Sequence, residues 1–256
     1  MATRLDLALS ERMGLTRAQA RSLIMEGRVR VNGVPATKAG ANVPDGSEIE
    51  LDRPRRFVSR GGEKLERALE AFHIVATGLR ALDVGASTGG FTDCLLQRGA
   101  SHVVAVDVGY GQLAWTLRND SRVTVMERTN FRLLAQDAFP DTFEIITIDT
   151  SFISLRPIVD RARAFLSETG AIVALVKPQF EAGRERLGRG GVVRDPEVHR
   201  AVLREVRDAM TAFGLSATAL VNSPLLGPAG NREFLMLVGR RGDAISNERI
   251  EDVLAK

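Results

Sequence analysis

The sequence predicts an α/β protein: an open, largely parallel sheet covered on both faces, preceded by a small α+β unit. Three observations carry this. Apolar runs at 81–85, 103–108, 123–127, 144–149, 171–176, 217–222 and 233–239 alternate with stretches of helical periodicity, as in strands joined by crossover helices. Ala81-Leu-Asp-Val-Gly-Ala-Ser-Thr-Gly-Gly-Phe-Thr92 runs an apolar strand into a glycine turn that opens a helix, and Asp107 ends the next apolar run 22 positions after Gly85. Residues 1–52, by contrast, hold short helices and a hairpin studded with arginines.

In the N-terminal stretch, Thr16 with Gln19 reads as a capping box. The helix it opens places Ala20, Leu23 and Ile24 on one face and Arg17 and Arg21 on another. Gly27 ends that helix, Arg28-Val-Arg-Val-Asn-Gly33 alternates into a tight turn, and Glu48-Ile-Glu-Leu51 follows the Pro44-Asp-Gly46 turn as a second strand. Residues 53–60 read as a linker, since Pro54 breaks regular structure and charge dominates. The second domain then spans 61–256, and its first helix shows in Leu65, Ala68, Leu69 and Phe72.

Composition narrows the class. With 44% hydrophobic and 26% charged residues, the chain reads as a globular protein of one or two domains. No apolar run reaches the roughly 18 residues of a membrane helix, and Arg4, Asp6, Glu11 and Arg12 deny the N-terminus the apolar core of a secretory signal. The single Cys94 cannot form an internal disulfide, and His73, His102 and His199 are unclustered, so no metal site is expected and the expected compartment is the cytoplasm. Residues 1–62 hold 11 Lys/Arg against 7 Asp/Glu, whereas the rest hold 24 against 25. The basic surplus therefore lies in the N-terminal quarter and points to an anionic partner such as nucleic acid.

Ligands of parallel sheets bind beyond the carboxyl ends of the strands. Gly85, Asp107, Glu127 and Asp149 end strands there, and Lys177 follows one. Glycines let backbone approach a ligand, and an acid closing the second strand accepts from ribose hydroxyls. A lysine or aspartate closing an apolar strand is usually only the chain's return to water. Here Asp149 and Lys177 share one edge, Glu233 starts the final apolar run and would join them if that strand runs antiparallel, and Lys64 lies on the helix that precedes the sheet.

The order Arg4-Leu-Asp6, Arg17-x-x-Ala-x-x-Leu-Ile24 and Gly27-x-Val-x-Val-Asn-Gly33 resembles the S4 RNA-binding domain. Gly85-Ala-Ser-Thr-Gly-Gly90 is similar to the glycine loop of class I, Rossmann-like S-adenosylmethionine-dependent methyltransferases, and the Lys-Asp-Lys-Glu order resembles the tetrad of FtsJ-like ribose 2′-O-methyltransferases. Ser59-Arg-Gly-Gly-Glu-Lys-Leu65, Asp83-Val-Gly-Ala-Ser-Thr-Gly-Gly-Phe-Thr92, Glu127-Arg-Thr-Asn130, Asp149-Thr-Ser-Phe152 and Val176-Lys-Pro-Gln-Phe-Glu181 together resemble the TlyA family of ribosomal RNA 2′-O-methyltransferases, also labelled hemolysin A. One element departs from some members of that family: little chain precedes Arg4, and the range of substrates is left open.

The resemblance implies S-adenosyl-L-methionine as cofactor. It would be held by Gly85, Ala86, Ser87, Thr88, Gly89, Gly90 and Phe91, with Asp107 on its ribose, Glu127, Asn130 and Phe131 near the adenosine, and Asp149 beside the donor. Catalysis would fall to Lys64, Asp149, Lys177 and Glu233, acting on the 2′-hydroxyl of a cytidine. A ribose hydroxyl is a poor nucleophile, so its proton must be removed and its oxygen held in line. An amine takes that proton only where burial and a nearby cation favour its neutral form. Lys177 is the expected base, Lys64 its neighbour, Asp149 the holder of Lys177, and Glu233 the partner of Lys64 or the ribose. Arg4, Arg17, Arg21, Arg28, Arg30, Lys38, Arg55 and Arg56 would meet phosphates of ribosomal RNA or ribosomal subunits, with no metal, membrane or obligate protein partner. Two other classes stay open at this point: an RNA-binding assembly factor with a degenerate sheet domain, and a membrane-lytic protein. An intact glycine loop with all four tetrad positions argues against the first. The lack of an apolar span or of alternating barrel segments argues against the second.

Overall fold

The computed structural model describes residues 2–25, 27–51, 56–227 and 229–256, and its contacts divide the chain into two compact units, Met1–Arg56 and Phe57–Lys256.

The first unit runs β1 (Ala2–Arg4), α1 (Leu5–Met13), α2 (Arg17–Met25), β2 (Val29–Val31), β3 (Val34–Ala36), β4 (Asn42–Pro44) and β5 (Ile49–Leu51). The capping box forms: the Gln19 amide N–H donates to Thr16 Oγ1 at 3.2 Å, and that of Thr16 donates to Gln19 Oε1 at 2.9 Å. Ala20 and Ile24 bury their face of α2 against Leu5 and Leu9 of α1 and against Val29, Val43 and Ile49. Asn32 and Gly33 both take positive φ, which matches the twist of the β2–β3 hairpin. Strand β5 pairs along the other side of β2. The three-residue pair β1–β4 was not foreseen, because segments that short carry no periodicity.

The second unit runs α3 (Gly61–Ala71), β6 (Arg80–Val84), α4 (Gly90–Gln97), β7 (His102–Val106), α5 (Trp115–Arg118), β8 (Val123–Met126), β9 (Phe143–Ile148), α6 (Arg156–Ala162), β10 (Leu166–Val176), α7 (Pro178–Glu181), α8 (Pro196–Ala212), β11 (Ser216–Asn222), β12 (Phe234–Gly239) and α9 (Asn247–Leu254). Among the described residues seven strands form one sheet, in the order β11-β12-β10-β9-β6-β7-β8. All pairings are parallel except those of β12, which runs antiparallel to both neighbours. The chain order reverses at β6, flanked by β7 and β9, so the switch-point crevice opens at the carboxyl ends of β6 and β9.

Strand periodicity sorts the side chains into two cores. Leu82, Val84, Ile146, Ile148, Ile172 and Ala174 share one with α6, α8 and α9, and Ala81, Val103, Ile145, Val173, Leu175 and Leu235 share the other with α3 and α4. Helix α3 lies against α4 at glycines: a Cβ on Gly90 would sit 2.9 Å from the Gly62 nitrogen, and one on Gly62 only 2.2 Å from Phe57 Cγ. Phe57 is 3% exposed and belongs to this core. Of the stretch expected as linker, residues 53–55 lie outside the described residues, and 57–60 pack with the second unit. Among the described residues no helix is long and apolar enough to cross a membrane.

Gly90→Ala is expected to cost roughly 1–3 kcal/mol or more by overpacking a backbone-to-backbone contact. A urea midpoint equal to wild type would show that α3 does not need this approach.

Candidate active site

Sheet parity brings the four expected catalytic residues to one place. Asp149 continues the alternation of Ile145 and Thr147, Lys177 that of Val173 and Leu175, and Glu233 that of Leu235, so all three point to the α3 side of the sheet. Val176 pairs with Phe234 across antiparallel strands, which brings Lys177 level with Glu233 one step on. Helix α3 supplies Lys64, whose Nζ donates to Glu233 Oε2 at 2.5 Å. Lys177 Nζ lies 2.6 Å from Asp149 Oδ1 and donates to Ser151 Oγ at 2.9 Å. Lys64, Lys177 and Glu233 are buried and Asp149 is half-buried. The second carboxylate oxygen of Glu233, Oε1, is buried without a hydrogen-bond partner. The edge thus holds two ammonium–carboxylate pairs.

On the opposite side of Asp149 opens a cleft of about 440 Å³, lined by Val84, Gly85, Ser87, Val106, Asp107, Gln112, Asn130, Phe131, Asp149, Phe152 and Ile158 among others. Asp149 therefore borders both the cleft and the Lys177 amine. Gly85 has φ +85°, and a Cβ there would meet the Asp149 carbonyl oxygen at 2.6 Å. Its lack of a side chain lets the ends of β6 and β9 converge. Asp107 accepts from the backbone N–H of Ser87 at 2.8 Å and of Gly109 at 2.7 Å, so it fastens the glycine loop while keeping lone pairs for hydroxyl donors.

Of the residues expected around a cofactor, Gly85, Ser87, Asp107, Asn130, Phe131 and Asp149 line this cleft. Asn130 also caps the short 3₁₀ turn Phe131–Leu133 by accepting from the Arg132 N–H. Others are placed elsewhere. Ala86 is buried and Thr88 exposed. Gly89 abuts Leu113 and Leu117, Gly90 abuts α3, and Phe91 is packed in the α3–α4 core. Glu127 accepts from the Gly111 backbone N–H and from Arg118 at 2.5 Å, which hold its carboxyl below the usual range.

In the first unit, Arg4, Arg17 and Arg21 gather on one fully buried carboxylate, Asp6, with contacts of 3.0, 3.1 and 3.7 Å. Arg4 above all, and then Arg17, hold that carboxyl far below its ordinary range. Arg28 and Arg30 are half-buried, Lys38 and Arg56 exposed. Arg55 lies outside the described residues.

Several contributors were not legible as such in the sequence. Asp83 is fully buried beneath the glycine loop, accepting from Thr92 Oγ1 at 2.7 Å and Thr147 Oγ1 at 2.9 Å. Two hydroxyls on different elements thus tie α4 to β9, and an aspartate inside an otherwise apolar strand was the available signal. Ser151 and Glu181 stood out only as members of motifs. Glu181 accepts from the Leu155 N–H at 2.5 Å and Ser154 Oγ at 2.7 Å, anchoring the loop that carries Ser151 to Lys177. On that loop Phe152 has φ +65°, is 91% exposed and packs on Phe180 with ring centroids 5.3 Å apart.

The mostly parallel sheet with one antiparallel strand, and the cleft at its switch point, fit the class of α/β methyltransferases that the family match gives. The FtsJ-like methyltransferase family matches residues 57–240, and the S4 domain matches residues 3–49. The 16S/23S rRNA (cytidine-2'-O)-methyltransferase TlyA of Mycobacterium tuberculosis is 46% identical over 256 residues, 98% of this chain and 95% of its own. Hemolysin A of Brachyspira hyodysenteriae is 39% identical over 86% of this chain and 92% of its own. A solved Streptococcus thermophilus structure carrying the hemolysin name superposes with a TM-score of 0.77 at 41% identity, over 99% of this chain and 94% of that one. The chain belongs to the TlyA family of FtsJ-like methyltransferases.

Burial raises the Asp83 carboxyl from 3.8 to about 6, against the opposing hydrogen bonds of Thr92 and Thr147. Between those values the folded chain keeps a proton that the unfolded chain has released, so through this group stability falls as pH rises. Relative to Asp83→Asn, wild type is expected to lose roughly 2–3 kcal/mol between about pH 4 and pH 7. Urea unfolding of both at several pH values checks this; parallel curves would contradict it.

Proposed function

We propose that this chain transfers a methyl group from S-adenosyl-L-methionine to the 2′-hydroxyl of a cytidine in ribosomal RNA. One observation carries the reading: Asp149 borders the nucleoside-sized cleft on one side and holds the Lys177 ammonium at 2.6 Å on the other. A donor in the cleft and a base at the edge would meet there. The cleft suits this cofactor, since Asp107 stands at its rim to accept from ribose hydroxyls and Val106, Phe131 and Ile158 give an apolar wall for a purine. S-adenosylmethionine would supply a methyl group on a sulfonium, a leaving group that needs no metal.

The chain's residues then divide the work. Lys177, once it has released a proton, takes the 2′-hydroxyl proton, and Asp149 with Ser151 fixes its Nζ. Lys64 hydrogen-bonds the ribose oxygen, and Glu233 aligns Lys64. Residues 1–52 hold the RNA, and the second unit, which begins at Phe57 rather than at residue 61, does the chemistry. Arg4, Arg17 and Arg21, pre-positioned by Asp6, meet phosphates with little further loss of side-chain freedom. Ribosomal RNA as substrate puts the reaction in the cytoplasm. The relatives' names favour this reading over a non-catalytic assembly factor.

Lys177→Ala is expected to cut methyl transfer by orders of magnitude with cofactor affinity nearly intact; calorimetry and a labelled-methyl assay on rRNA separate the two, and substantial turnover would remove Lys177 as base. Asp107→Ala should weaken S-adenosylmethionine by roughly 1.5–3 kcal/mol, and unchanged affinity would overturn the ribose assignment. Arg17→Ala with Arg21→Ala should lower rRNA affinity and flatten its log–log salt slope by about 0.7 for each single-strand phosphate the variant no longer neutralises; an unchanged slope would take the RNA role away from this face.

A further inference from the structure

The chain enters β12 through Asn231, two residues before Glu233 and level with the carboxyl end of β10, where Val176 pairs with Phe234. Asn231 is 2% exposed, and both ends of its side chain are engaged. Its Oδ1 accepts from the Val193 N–H at 2.9 Å, and its Nδ2 donates to the Gly191 carbonyl at 3.2 Å. One amide thus pins the glycine- and arginine-rich segment after α7 to the chain that carries Glu233. Its main chain is engaged as well. The Asn231 carbonyl accepts from the Gly227 N–H at 2.9 Å, and the Gly227 carbonyl accepts from the Gly230 N–H at 2.8 Å.

This turn closes over the Glu233 carboxylate. A Cβ on Gly227 would lie 2.5 Å from Glu233 Oε1, so only glycine fits there. Glu233 Oε2 accepts from Lys64 Nζ, whereas Oε1 is buried and no donor reaches it among the described residues. A carboxylate held by several donors is oriented by them; one held at a single oxygen takes its direction from the main chain beneath it. Toward β11 that main chain is fixed, since the Glu233 carbonyl accepts from the Ser223 N–H at 2.9 Å. Toward Gly227 the strand pairing has ended, and Asn231 does the fixing.

We infer that Asn231 is a positioning residue for methyl transfer. Its buried amide sets the main chain of Glu233, and through Glu233 the Lys64 ammonium that meets the ribose oxygen. A clamp that served stability alone could sit anywhere along the segment after α7. This one lies two residues from a carboxylate that has one donor of its own. No smaller apolar side chain can replace the amide without movement, because the N–H of Val193, 3% exposed, would lose its acceptor. This rests on the rRNA methyl-transfer reading above.

The test uses the full-length protein and rRNA in single turnover with enzyme in excess, so that losses of several orders of magnitude stay measurable. Asn231→Ala is expected to slow transfer by about tenfold to a hundredfold, as misplacing a reacting group by about 1 Å does. Asn231 lies outside the lining of the cofactor cleft, so S-adenosylmethionine affinity by calorimetry should stay at the wild-type value. So should the rRNA concentration that gives half the maximal rate. In a Glu233→Gln background the carboxylate is already gone, and Asn231→Ala should slow transfer by no more than about twofold further. Asn231→Asp keeps the acceptor for Val193 but turns an oxygen on the Gly191 carbonyl. It should fold, slow transfer and show the same dependence on Glu233, and it carries the cycle if the alanine variant does not fold. Losses that multiply in the double variant overturn the inference, since independent sites behave that way. A wild-type rate in both Asn231 variants overturns it too. A raised half-maximal rRNA concentration at an unchanged maximal rate would assign the amide to RNA binding by the segment after α7, and the inference falls. A wild-type protein that methylates no rRNA would instead bring down the function on which this rests.

Discussion

Two lysines, Lys64 and Lys177, are buried at one edge of the sheet, and each is paired there with its own carboxylate. Removing one partner from a buried pair typically costs about 3–5 kcal/mol, because the other charge is left uncompensated. The rest of the second unit is arranged around that constraint. Strand parity delivers Asp149, Lys177 and Glu233 to one face, the reversed direction of β12 brings Glu233 level with Lys177, and α3 contributes Lys64. A one-residue slip in β10 or β12 would turn a charge into the opposite, apolar core, so the pairs also fix strand register.

The glycines of the first strand-to-helix turn serve this edge as much as any ligand. Gly85 lets β6 close on the Asp149 carbonyl, and Gly90 lets α3 reach α4. Close approach at Gly90 seats the helix that carries Lys64, so a glycine of the strand-to-helix turn governs a side chain of the buried edge. Asp107 has a comparable double part, fastening the loop through Ser87 and Gly109 while facing the cleft. Asp83, below, ties the loop's helix to β9 through two hydroxyls.

Charge is handled differently in the N-terminal unit. A single buried carboxylate, Asp6, gathers Arg4, Arg17 and Arg21 while leaving their side chains 42%, 51% and 57% exposed. Three guanidiniums on one anion leave a net positive face whose geometry the buried carboxylate sets. Burying Asp6 beneath them keeps water from screening the contacts that orient them.

The sequence by itself determined the α/β alternation, the S4-like order of helix and hairpin, the capping box at Thr16 and Gln19, and the identities of the four edge residues. These depend on local periodicity, cap chemistry and strand ends, all written within a few neighbouring positions. Which residue meets which was decided only by the tertiary structure. That Lys64 takes Glu233, 169 positions away, follows from sheet order, and local patterns do not encode sheet order. For the same reason Phe57 joined the catalytic unit instead of a linker, Phe91 turned into a core, and Glu127 closed on Arg118 rather than lining the cleft.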